Sequence, residues 1–92
     1  MQRRRKGNLQ VLAGLLEIPQ DIVLDLPRVT MLGNKQVLVE NHKGIIEYTD
    51  SLLRIRLNQG ELVVVGENLV LGSLQPELLF IEGVISAVRY DH

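Results

Sequence analysis

From Val29 to Tyr90 one pattern repeats, and it limits the fold more than any other feature of the chain. Short runs rich in Val, Ile and Leu are separated by clusters of Gly, Asn, Asp, Ser and Pro. The runs are Val29–Leu32, Gln36–Val39, Ile45–Tyr48, Leu52–Leu57, Glu61–Val65, Leu69–Leu71, Leu78–Ile81 and Val84–Tyr90. Between them stand Gly33-Asn34, Asn41-His42-Lys43-Gly44, Thr49-Asp50-Ser51, Asn58-Gln59-Gly60, Gly66-Glu67-Asn68, Gln75-Pro76 and Glu82-Gly83, all turn chemistry. Runs this short and this aliphatic suit strands better than helices. Alternation is cleanest in LLRIRLN, where Leu53, Ile55 and Leu57 face one way and Arg54 and Arg56 the other. In SAVRYD the same rule puts Val88 and Tyr90 inside and Ala87, Arg89 and Asp91 outside. The expected fold is mainly β: a sheet-rich meander, sandwich-like or small solenoid-like stack. A shift of 26 residues lays Val39 on Val65, Leu52 on Leu78, Leu53 on Leu79 and Ile55 on Ile81. Simple alternation explains this echo; a duplicated unit is the solenoid-like alternative.

The start of the chain has a different texture. Residues 8–18, NLQVLAGLLEI, read as a short N-terminal amphipathic helix. Leu9, Leu12 and Leu16 fall on one stripe, widened by Val11 and Leu15. Asn8 can cap it, and Pro19 ends it because the residue before a proline is pushed out of the α region. A helix of this length needs its Leu face docked on something to persist in water. Residues 19–28, between Pro19 and Pro27, form a joint, either a helical turn or an extended edge segment. One small domain over 8–92 follows a basic flexible tail over 1–7, with the β region at 29–91.

Charge is unevenly placed. The net charge is −1, but Arg3, Arg4, Arg5 and Lys6 form a basic tip, leaving six cations against eleven anions in the rest. That tip beside a Leu stripe suits a partner or an anionic membrane surface. Nucleic acid is not expected, because three aromatics over 92 residues make no stacking platform. Hydrophobic residues make up 46% of the chain, enough for a dense core or for apolar surface kept for a partner or a homo-oligomer. The opening resembles a signal peptide, yet Asn8 and Gln10 interrupt it and Glu17 and Pro19 end it without a small-x-small cleavage site, so a cytoplasmic protein is expected. No run of eighteen apolar residues occurs.

Chemistry-bearing constellations are few. There is no cysteine, which excludes disulfides and thiolate chemistry. In ENHKG, Glu40 could orient His42 as a general base with Lys43 steadying an anion, but no third group completes a triad, and the phrase also reads as a plain hairpin loop. His42 and His92 are too far apart in sequence for a ligand motif, and the acids do not alternate as a calcium loop requires. Gly60, Gly66 and Gly72 recur every six residues but open no helix, so they read as turn residues. No catalytic residue, metal or cofactor is expected.

The order of the phrases carries more than any one of them. IPQDIVLDLPRVTMLGN, VLVENHKGI, LVVVGENLVL and LLFIEGVISAVRY follow a basic start and a short helix. Over nearly the whole chain this resembles the YabP/YqfC family of sporulation proteins, above all its YqfC-type branch. The resemblance implies a small non-enzymatic protein of endospore-forming bacteria, made in the mother cell and needed for spore morphogenesis. It also implies a partner, the membrane sporulation protein typically encoded beside it. No catalytic residue carries over. The shared positions Pro19, Asp25, Pro27, Gly33, Asn41, Gly44 and Gly83 are turn-forming or polar and read as fold-setters. Arg3, Arg4, Arg5, Lys6, Leu9, Leu12 and Leu16 are the docking candidates.

Overall fold

The structure is a computed structural model and describes residues 25–92. The tail, the expected helix and Pro19 lie outside the described residues. Six strands follow in order: β1 (Arg28–Leu32), β2 (Gln36–Glu40), β3 (Gly44–Tyr48), β4 (Leu52–Arg56), β5 (Glu61–Gln75) and β6 (Leu78–Asp91). They form one sheet in the order β1-β2-β6-β5-β4-β3, and every pair is antiparallel. The mainly β expectation therefore holds. A solenoid-like stack does not, since its coils would pair strands in parallel.

The sequence divides the last third of the chain into four strands, whereas the structure has two. Gly66-Glu67-Asn68 and Glu82-Gly83 are not turns between strands but the middle of a long β5–β6 ribbon. Register shifts at Val65/Gly66 and Glu67/Val70 bend that ribbon. Gly66 and Gly72 are accordingly strand residues, while Gly60 does sit in a turn.

The bend lets each half of the ribbon serve a different neighbour. The first half of β5 pairs β4, which pairs β3; the first half of β6 pairs β2, which pairs β1. The loop between β2 and β3 then joins the ribbon tip to the end of β4. The Asn41 N–H donates to the Glu77 carbonyl at the tip (3.1 Å), and the Lys43 N–H to the Arg56 carbonyl of β4 (2.7 Å). Two hairpin turns clasp the bend from opposite sides. Ser51 and Asp50 carbonyls accept from Gly66 and Leu69, and Lys35 and Asn34 carbonyls accept from Gly83 and Ile85.

The folded-over sheet encloses one aliphatic core. Val37, Val39, Leu79 and Ile81 come from one half, and Leu53, Ile55, Leu62 and Val64 from the other; all belong to one cluster and are at most 3% exposed. Burial of this kind stabilises by roughly 1.5–3 kcal/mol per large aliphatic side chain. The LLRIRLN alternation is as expected, with Leu53, Ile55 and Leu57 buried. Tyr90 departs from expectation: its register opposite Leu62 gives it inward parity, yet it is 54% exposed because it ends the ribbon. Val63 is buried but outside the core, on the outer face. Its register partners are Arg54 and Arg89, and arginine stems in that position shield an aliphatic neighbour from water.

Candidate functional site

Three local features have the makings of a site: a polar corner, an ionic ladder and a groove along an open seam.

The polar corner gathers residues far apart in sequence. Asn41 has a left-handed backbone (φ 62°), as its turn requires. Its side-chain amide donates to the Asp25 carboxylate (3.1 Å) and to the Leu26 carbonyl (3.0 Å). Lys43 Nζ reaches the same Asp25 oxygen at 2.9 Å. These bonds, that to Lys43 first, hold the Asp25 carboxyl below the usual carboxylate range. Next to them, His42 Nδ1 accepts from the Gly44 N–H (3.0 Å), so in this arrangement the ring proton sits on Nε2. That Nε2 is buried and, among the described residues, has no partner in good hydrogen-bond geometry. Burial lowers the His42 pKa, opposed by the charge of Glu77 and the carbonyl of Pro76.

Glu40 does not join this corner as a base-orienting group. It faces outward on β2, opposite Arg28, with Arg28 Nε 3.7 Å from its carboxylate. Glu40 and His42 are thus engaged with different partners. Pro27 leads into the edge strand β1, where a missing N–H costs nothing. Gly33 sits in the β1–β2 turn and Gly83 at the ribbon bend, at a different corner from Asp25, Asn41 and Gly44.

The ionic ladder crosses the outer face of β3, β4 and β5. Arg54 binds Glu61 through two nitrogens (2.6 and 3.0 Å) and Glu47 through a third (3.3 Å). The guanidinium holds the Glu61 carboxyl below its ordinary range, and the two carboxylates raise the Arg54 pKa. All these groups are solvent-accessible, so the ladder orders a surface and contributes little net stability. Among the described residues no three His, Asp or Glu side chains are grouped to hold a metal.

The groove follows from how the two seams of the folded sheet differ. One seam runs between β3 and the second half of β5. Tyr48 seals it, its hydroxyl donating to the Leu69 carbonyl (3.0 Å) and accepting from the Leu71 N–H (3.2 Å). The other seam runs between β1 and the second half of β6, which do not pair. The β1–β2 turn touches β6 at one end of it. At the other end a groove of about 370 Å³ opens, lined by Asp25, Leu26, Pro27, Leu57, Asn58, Gln59, Tyr90 and His92. Leu26, Met31 and Tyr90, 47–54% exposed, lie along this seam. Alternation could not reveal it, because it gives a side chain's face and not whether anything covers that face.

Comparison with known proteins gives two matches. The model of the YabP family matches residues 25–92, the stretch that forms the sheet. The uncharacterized protein YqfC of Bacillus subtilis (strain 168) is 39% identical over 88 residues, covering 95% of each chain. No solved structure matches.

Proposed function

The chain belongs to the YabP family, and on that premise we propose that it is a non-enzymatic assembly or interaction module of spore morphogenesis. It acts in the cytoplasm of the mother cell, at the membrane around the developing spore, through the membrane sporulation protein encoded beside it. Arg3, Arg4, Arg5, Lys6 and the stripe Leu9, Leu12 and Leu16 make the contact. The observation that carries this reading is family membership over nearly the whole chain. The described core supports it with exposed apolar side chains on a small domain, Leu26, Met31, Leu32, Val70 and Tyr90 among them. The polar groups of the ENHKG loop are engaged in holding the turn, which suits a fold-setting role.

Self-assembly of the sheet is the second reading, favoured by the same exposed side chains. It would use β1 and β3, the outer strands of the described sheet, because β2 is paired on both sides. Fluorescence localisation in sporulating cells tests the proposal. Signal at the engulfing membrane that disperses when the neighbouring membrane protein is deleted is the expected result. Signal that stays on the membrane without that protein favours lipid binding or self-assembly. Diffuse signal in both strains overturns the docking model.

A further inference from the structure

We propose that the groove along the open seam is the seat of the chain's own N-terminal stripe, Leu9, Leu12 and Leu16. The proposal deepens the reading above, since it gives the segment assigned to a partner a competing site within its own chain. Three observations support this occupant over others. First, the tether ends at the site: 24 residues precede Asp25, and Asp25 and Leu26 line the groove. The nine residues from Leu16 to Asp25 span at most about 30 Å, which keeps the stripe within reach of every wall of the groove. A tether of that length supplies an effective concentration on the order of millimolar, against which a free partner must compete.

Second, the chemistry matches. The segment holds leucines that cannot bury one another along a single stripe. The groove offers Leu26 and Tyr90, each about half exposed, beside the buried Leu57 of the core. Third, the charges are complementary. Four cations stand at the far end of the segment, while residues 25–92 carry nine anions and six cations. The two seatings exclude each other, so cis docking sets how readily the stripe becomes available to a membrane-bound partner.

The chain has no cysteine, so an introduced pair is unique. Leu16→Cys with Gln59→Cys is treated with a short bis-maleimide in dilute, purified full-length protein. The expected product is an intrachain crosslink whose yield falls at least about ten-fold when Leu9 and Leu12 are also changed to Asp, because each leucine loses its burial. Slow amide exchange at Leu53–Ile55 verifies that the Asp variant is folded. Interchain product alone overturns the proposal in favour of a second copy. Absence of intrachain product, or a yield that the Asp changes leave untouched, overturns it outright. No partner is present in this experiment, so its failure leaves the sporulation reading standing; a diffuse signal in cells would leave the crosslink standing.

Discussion

His42 shows how one residue ties local chemistry to a condition of the solution. Its Nδ1 accepts the Gly44 N–H, so a proton added there would face another donor. The folded state lowers its pKa below the ordinary 6.5. The unfolded chain therefore binds the proton first as pH falls. The contribution of His42 is complete above about pH 6.5 and declines below it, toward the lowered folded value. The thermal midpoint should drop between pH 7.5 and 5.5, and His42→Ala should remove that step; an unchanged slope in the variant would assign the step to other groups. Gly83 makes a steric case instead. Its φ is 147°, and a Cβ there would stand 2.9 Å from the carbonyls of Glu67 and Asn68. Gly83→Ala should cost about 3 kcal/mol in chemical denaturation, read as a shift in midpoint at constant slope. A loss within the surface range of ±0.5 kcal/mol would show that the bend adjusts freely. Neither partner set was legible in the sequence. His42 and Pro76, or Gly83 and Asn68, are brought together only by the return of a long ribbon.

At the scale of elements, alternation and turn chemistry located every strand but miscounted them. Gly33-Asn34, Thr49-Asp50-Ser51 and Asn58-Gln59-Gly60 are real turns. Gly66-Glu67-Asn68 and Glu82-Gly83 have the same residue types and instead bend continuing strands. The difference lies in cross-strand hydrogen bonds, which reconnect beyond the bend at Val70 and Glu82, and composition does not encode register. Val63 was hidden for a related reason, since only the register shows arginines on both sides of it. The seam closed by Tyr48 gives this scale its test. Tyr48→Phe removes both bonds of the hydroxyl and leaves the Leu71 N–H without that acceptor. A destabilisation of about 1 kcal/mol is expected, with faster exchange at the Leu71 amide and little change at Ile81, its register partner. Equal acceleration at both amides would mean that Tyr48 supports the whole ribbon and not the seam alone.

For the whole molecule, the central question is how much of the chain the fold needs. The six described strands and their core cluster lie in the stretch that the family model matches, residues 25–92. The sequence groups residues 8–24 with the sheet in one domain. Separable parts are expected because the buried aliphatic side chains form one cluster drawn from the strands and the turns between them, while Leu26 and Tyr90 at the groove stay half exposed. A docked segment stabilises the fold by its own binding free energy and no more. A 25–92 fragment should therefore keep the strand signal in far-ultraviolet circular dichroism and unfold cooperatively. Its midpoint should lie below that of the full chain by a stability difference of about 1–3 kcal/mol, the burial of the three leucines less the entropy of ordering the segment. Loss of cooperative unfolding would make residues 1–24 part of the core. An unchanged midpoint would mean that the segment rests on nothing within its own chain, and would leave the stripe wholly available to a partner.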